Sequence, residues 1–350
     1  MDPAAVEQVI LGNAVSAGLG QNPARAAGLS AGLTTNLSAF TVNMACGSGL
    51  AAVVLAAQAI RCGDATVVVA GGMESPSGAP HLLTGGRAGR KLGHLTALDA
   101  VIHDGLWCSS TNQHLACAAE FVAAEYRISR TEQDEYALES HQKACKAWEA
   151  GRFGEVTPVE LPGRRGEPIA FSRDESPQAD ANLDALAKLQ PAFMADGSIT
   201  LGNAPPLGDG AAALVLMDED RARREGRSIL GRIEACASGG VEPKWAMMAP
   251  VRATRKVLEM AQIGLDRMDL IELDEAFAAQ ALAVSRVLKL DLGKVNVNGG
   301  SIGLGHPLGA SGARILVTLI HELDARKLKT GLATLGLGGG DALAVIVERP

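Results

Sequence analysis

The apolar positions of this chain fall into short runs separated by glycine-rich turns, and the same order of runs occurs twice. Ala39–Asn43 reads as a buried strand, Cys46-Gly47-Ser48-Gly49 as a turn, and the residues to about Arg61 as an Ala-rich helix. A second strand, Ala65–Ala70, comes after it and is closed by Gly71-Gly72. Much later, Lys294–Val297 reads as a strand and Asn298 to Gly312 as a Gly-rich loop. A helix to about Leu323 comes next, then a strand near Leu332–Leu335 closed by Gly338-Gly339-Gly340. Strand, Gly turn, helix, strand is a βαβ order, which predicts parallel sheets with the chemistry at the Gly-rich strand ends. Many α/β proteins share that order; the paired layout is what points to duplication.

The correspondence extends upstream, where strand Gln8–Leu11, ending at Gly12-Asn13, matches strand Leu270–Leu273. In the second half a strand (about Ile229–Ala235) and a helix (about Thr254–Gln262) precede that point. The first half has no counterpart to either. Repeat logic therefore predicts that about 40 to 50 residues, the first strand and helix of the N-terminal half, are absent. Between the repeats, roughly Ser75–Pro205, one amphipathic helix stands out at Arg130–Gly151. Thr131 with Asp134 and Glu135 resembles its N-terminal cap and Gly151 its stop. Pro158, Pro162, Pro168 and Pro177 break up the stretch beyond this helix, and the region reads as an inserted lobe over a site. The expected organisation is residues 1–77 as one half, completed by about 207–227, then an inserted loop domain 78–206 and a second half 228–350.

A length of 350 residues is too great for one ordinary core, which agrees with two halves. The 41 glycines suit layers that approach closely. A net charge of −7 gives no support for nucleic acid or an anionic membrane surface as partner. The six cysteines show neither a CxxC pair nor a disulfide framework and read as reduced intracellular thiols. No secretory signal opens the chain, and the longest apolar run, Leu50–Ile60, falls short of the roughly 20 residues of a membrane span. A cytoplasmic protein is the expectation.

Two residues carry the candidate chemistry. Cys46 sits just after a strand, among small residues, at the expected start of a helix. Unsatisfied N–H groups and the positive end of the helix dipole there favour thiolate over thiol. His306 lies in Gly303-Leu304-Gly305-His306-Pro307-Leu308-Gly309, a rigid loop with open space around the ring. It is placed to act as a base toward a thiol or as a donor to an oxyanion. Either residue alone is as readily structural: a buried small thiol, or a loop histidine making one hydrogen bond.

Six segments, in order, carry a more specific signal. They are Ala45-Cys46-Gly47-Ser48-Gly49, Gly71-Gly72-Met73-Glu74-Ser75, Ile102-His103-Asp104-Gly105-Leu106-Trp107, Glu139-Ser140-His141-Gln142-Lys143, Glu275-Ala276-Phe277-Ala278 and the His306 loop. From about Val9 to the C-terminus the chain resembles the thiolase family. That resemblance implies a duplicated five-layer αβαβα fold with an inserted loop domain, assembled as a homodimer or homotetramer. It implies coenzyme A thioesters as substrates, no permanently bound cofactor and no metal, and a place in lipid metabolism. By the same resemblance Cys46 is the acylated nucleophile and His306 the base, and backbone N–H groups of Cys46 and Gly338 bind the oxyanion. Leu106, His114, Leu115, Phe193, Ala204, Pro205 and Phe277 match positions near the thioester and pantetheine arm.

The chain also departs from the family pattern. The second catalytic cysteine of thiolases falls on Gly336, which has no titratable group; Asp341, where the family has Met after the triple glycine, is the candidate substitute. The family's Asn before Glu-Ala-Phe is Asp274, whose charge disfavours an adjacent oxyanion unless it is protonated or paired. Asn203-Ala204-Pro205-Pro206 stands where the family has Asn-Ala-Ser-Gly, a stiffer loop without the hydroxyl. In the family the missing N-terminal segment is expected to supply a central strand of the first sheet. These departures leave three outcomes: acyl transfer with weakened condensation and thiolysis, a thiolase-like binding or partner protein without turnover, or diversion of the Cys46 acyl group to water or another nucleophile.

Overall fold

The computed structural model describes residues 2–163 and 167–350, and its frame is a pair of four-stranded sheets. In the first, β1 (Gln8–Gly12), β2 (Ser38–Val42), β3 (Val67–Glu74) and β4 (Gly210–Met217) lie in the order β4-β3-β1-β2. β1 runs parallel to β2 and β3, and β4 is antiparallel to β3. In the second, β5 (Arg232–Ser238), β6 (Leu270–Leu273), β7 (Thr330–Leu337) and β8 (Asp341–Glu348) lie in the order β5-β8-β7-β6. β6 is parallel to β7, and β8 is antiparallel to both its neighbours. By chain order and neighbour order β1 corresponds to β6, β3 to β7 and β4 to β8.

The helices complete five layers. α1 (Pro23–Ser30) covers β1 and β2 from outside, while α2 (Ser48–Cys62) lies on the inner face of the first sheet. α3 (Leu115–Glu125) and α4 (Arg130–Glu149) belong to the segment between β3 and β4. α5 (Ala249–Ala261) covers β5, β7 and β8 from outside, α6 (Ala278–Leu288) packs on α3, α4 and α5, and α7 (Leu308–Arg326) lies beside α2 between the sheets. Being central explains the composition of α7: Ile315, Leu316, Leu319 and Leu323 are all buried. Each such side chain contributes on the order of 1.5–3 kcal/mol. α2 with its leading turn, Ala45–Cys62, is apolar and long enough to cross a bilayer by length and composition. Here it is instead a middle layer wedged between α7 and β3.

Several expected elements are adjusted. Strand β3 does not close at Gly71-Gly72 but runs through both to Glu74. A Cβ at Gly71 would lie 2.0 Å from the Ala212 carbonyl oxygen of β4, and one at Gly72 2.0 Å from that of Gly309. The glycines are there for close approach within a strand, not to end it. Lys294–Val297 is no strand: Leu292–Lys294 is a 3-10 turn, and Val295 makes one isolated bridge to Ile271. The cap of α4 is Ser129 with Glu132 in a reciprocal capping box, ahead of the Thr131 expected from sequence. β5, the strand for which the first half shows no match, lies at the edge of its sheet beside β8.

Candidate active site

Cys46 is set by a strained turn between β2 and α2. Ala45 adopts φ +48°, a left-handed conformation that costs a non-glycine residue about 1–2 kcal/mol. Hydrogen bonds hold it there: Ala45 N–H donates to Asn43 Oδ1 at 3.0 Å and Met44 N–H to Ser48 Oγ at 2.8 Å. Ser48 Oγ donates in turn to the Ala45 carbonyl at 2.6 Å. The turn places buried Cys46 just ahead of the N-terminus of α2, whose positive end favours developing negative charge.

His306 comes from the other half. Its backbone N–H donates to the Pro206 carbonyl at 2.9 Å, so the Pro205-Pro206 segment seats the loop directly. Ser311 Oγ lies 2.8 Å from His306 Nδ1 and donates to the Pro307 carbonyl at 3.0 Å. The hydroxyl proton is thereby committed, and Ser311 accepts from Nδ1–H. By elimination Nε2 is the ring nitrogen left for Cys46, which raises the proton affinity of the imidazole. Asp274 Oδ1 sits 3.5 Å from Nδ1 and accepts from Ser301 Oγ at 2.6 Å. Ser301 Oγ accepts from Arg314 Nη2 at 3.0 Å.

Charge in this row is mutually supported. Burial lowers the affinity of His306 for a proton, but Asp274 and Cys46 outweigh it and push the imidazole up to about 10. Burial likewise raises the Asp274 carboxyl; the His306 charge, hydrogen bonds from His306 and Ser301, and Arg314 beyond bring it below the usual carboxylate range. The negative charge expected here from sequence is therefore paired.

Two further buried carboxylates, which belong to recognisable motifs but had no role assigned from sequence, position the loops. Glu74 accepts from Ala14 N–H (2.8 Å), Val15 N–H (3.2 Å), Asn13 Nδ2 (2.9 Å) and Gly309 N–H (2.8 Å). It ties the first half to the loop that carries His306. Glu275 accepts from Tyr136 OH (3.1 Å), Ser140 Oγ (2.8 Å), Asn296 Nδ2 (2.8 Å) and Ile302 N–H (3.0 Å), joining the inserted segment to the same loop. Sequence reasoning also missed Ser301, Ser311 and Arg314. Only the composition of the His306 loop hinted at them, because their roles depend on contacts across the fold.

The residues matched to the thioester arm form a partly connected wall. His114 stacks on Phe193 at 4.7 Å between ring centroids, and Phe193 meets Phe277 edge-on at 6.4 Å. Burial holds the His114 imidazole below its ordinary value, which keeps the ring neutral near pH 7. Ala278 N–H donates to the Asn203 carbonyl at 3.0 Å, which brings Ala204 and Pro205 beside Phe277. Leu115 approaches Gly338: a Cβ built there would lie 3.6 Å from Leu115 Cδ1. Leu106 packs with the core cluster that contains Cys46, apart from this wall.

Gly336 lies in β7 opposite Ala342. A Cβ there would meet Pro250 Cδ and Cγ at 3.3 Å and the Ala246 carbonyl oxygen at 3.5 Å, so the space beside it is largely taken. Asp341, the nearby acid, spends Oδ1 on the Ala342 N–H at 2.8 Å. Among the described residues no group of three or more His, Cys, Asp or Glu side chains is arranged to hold a metal ion.

Comparison with known proteins bears on this geometry. Residues 1–220 match the family "Thiolase, N-terminal domain" and residues 227–349 match "Thiolase, C-terminal domain". An acetyl-CoA acetyltransferase of Pseudomonas aeruginosa is 51% identical over 350 residues, covering 100% of this chain and 89% of that protein. A probable acetyl-CoA acyltransferase of Staphylococcus epidermidis is 47% identical with the same coverage. The crystal structure of the Bacillus anthracis acetyl-CoA acetyltransferase superposes with a TM-score of 0.97 at 43% identity, over 100% of this chain and 89% of that one.

Proposed function

The chain belongs to the thiolase family, and from that premise we propose that it is an acyl-CoA C-acyltransferase working through an acyl thioester on Cys46. The observation that carries this reading is that buried Cys46 lies near enough to buried His306 to raise its proton affinity, while the His306 Nδ1–H is committed to Ser311. Nε2 takes the thiol proton, and the thiolate attacks the thioester carbonyl of an acyl-CoA. The oxyanion is received by the Cys46 and Gly338 N–H groups, and the leaving coenzyme A thiolate takes the proton back from His306. His114, Leu115, Phe193, Ala204, Pro205 and Phe277 line the approach of the acyl-pantetheine arm, and Leu106 packs with the core cluster around Cys46.

Carbon–carbon bond formation needs a second group to remove a proton from the incoming acetyl-CoA. Gly336 supplies none, and loss of a general acid or base costs about 10²–10⁴-fold. Condensation and thiolysis are therefore slow relative to acylation. Self-association is supported by β2, an edge strand with Phe40 exposed. Six free cysteines and acyl-CoA substrates support a cytoplasmic role in lipid metabolism.

Intact-mass spectrometry after incubation with acetyl-CoA tests the reading. One acetyl group is expected on the wild-type chain and none on Cys46→Ala. A folded wild-type protein that gains no acetyl mass and releases no coenzyme A refutes it.

A further inference from the structure

The group that accepts the acyl chain is a separate question, and the site itself narrows the answer. Three titratable side chains stand in one buried row: Cys46 on the turn before α2, His306 on its loop, and Asp274 at the end of β6. Nothing titratable stands at Gly336, and Asp341 is turned to its own neighbour's N–H. A carbon nucleophile has no second base here. Water needs only one, and His306 Nε2 is free to serve once Cys46 is acylated. Asp274 adds a second feature: it is 1% exposed, and its Oδ2 finds no hydrogen-bond partner among the described residues. A buried carboxylate oxygen without a donor marks a place where a water molecule is stabilised.

We propose that this chain passes the Cys46 acyl group to water, as an acyl-CoA hydrolase built on a Cys46–His306–Asp274 row. The proposal rests on the acyl-enzyme reading above and goes beyond it in naming the acceptor. Water oxygen attacks the thioester carbonyl of acyl-Cys46 while His306 Nε2 takes one of its protons. The carbon–sulfur bond then breaks, and its electron pair leaves on Cys46 sulfur, which faces the imidazolium again. The carboxylic acid product gives its proton to solvent. The net reaction is acyl-CoA plus water to carboxylate, free coenzyme A and a proton, with no oxidant or further co-reactant. Asp274 is a positioning residue: its carboxylate, 3.5 Å from His306 Nδ1, supports the imidazolium formed as water is deprotonated.

The test is acetyl-CoA turnover in ¹⁸O-water, with released thiol, acetate and acetyl-Cys46 followed together. Coenzyme A release is expected to continue well past one per chain, with one ¹⁸O in each acetate. Asp274→Asn should lower the ratio of deacylation to acylation rate about 10- to 100-fold. It should also move the pH at half-maximal deacylation downward. The charged groups around His306 are Asp274, Cys46 (neutral once acylated), Arg314 beyond Ser301, and Glu74 at the Gly309 N–H. Only the first is removed in this variant, whereas general loosening of the site would slow the rate without shifting the profile. Ser301→Ala, which strips the donor from Asp274 Oδ1, is expected to act in the same direction and more weakly. An acetyl-Cys46 that accumulates and persists overturns this proposal while leaving the acyl-enzyme reading intact. So does a partition ratio unchanged in Asp274→Asn. Absence of any adduct and of any coenzyme A release overturns both.

Discussion

Val215 of β4 lies opposite Val69 of β3, and Ile346 of β8 lies opposite Leu332 of β7, so the two occupy corresponding places in the duplicated sheets. Val215 is 55% exposed and Ile346 1%. The difference lies in what surrounds each strand. β8 has β5 along its edge and α5 across its outer face. Along β4 the described residues place no further strand, and the outer helix of its sheet, α1, packs chiefly on β1 and β2. β4 therefore alternates between exposed and half-buried positions, while β8 is buried over six consecutive residues. Duplication repeats a backbone; burial is decided by whether the covering elements are repeated with it.

The largest effect that can break this comparison is a charge at the paired positions. Ile346→Lys should cost more than about 4 kcal/mol and abolish cooperative unfolding in urea, because the ammonium has no partner in the core. Val215→Lys should stay within about 0.5 kcal/mol. Equal losses would mean that the two sheets are buried alike.

Next in size is the tie between the halves. Glu74→Ala leaves the Ala14, Val15 and Gly309 N–H groups without their acceptor. A loss of about 3 kcal/mol in urea unfolding is expected, with slower acetylation of Cys46 because the His306 loop is no longer held. Unchanged acetylation at full occupancy would show that this loop is held by other contacts.

Buried charge sharpens the comparison further, since the covered sheet encloses the Glu272 carboxyl on β6. Burial pushes it up to about 8 from 4.5, with Arg314 opposing and Glu275, Glu322 and Glu155 adding. The native state thus binds a proton there that the unfolded chain has released. Stability should fall as pH rises between 4.5 and 8, by at most about 1.4 kcal/mol per pH unit. In Glu272→Gln that contribution should vanish, as thermal melts across the range will reveal. Identical pH dependence in both proteins would place the proton elsewhere.

The smallest expected change is Gly336→Cys. Contact with Pro250 at 3.3 Å should cost about 1 kcal/mol. Acetoacetyl-CoA formation should rise above that of the parent chain, since a second thiol enters the site. A fully stable variant that still forms no acetoacetyl-CoA would show that more than this thiol separates the chain from condensation.

How far the site could be read from sequence depends on what fixes each residue's role. Cys46 stood out as a candidate because its surroundings are local: a strand, small residues and a helix start adjoin it in the chain. His306 was legible through its loop and through resemblance. Ser311, Ser301 and Arg314 were not, since a serine in a Gly-rich loop looks alike whether or not it bonds an imidazole. The supposed strand Lys294–Val297 failed for a related reason. Its apolar alternation is satisfied by burial against Ile271 in a turn with a single bridge, without a ladder.

By itself the sequence determined the βαβ order, the internal repeat, the candidate nucleophile and the want of a titratable side chain at Gly336, because those are properties of residue type and spacing. Only the tertiary structure decided that Asp274 is paired with His306 rather than left as an isolated charge, that β5 is an edge strand, and that among the described residues β8 is covered where its counterpart β4 is not. Each of these depends on groups distant in the chain meeting at a few ångströms, where burial and Coulomb interaction are set by neighbours that no local pattern encodes.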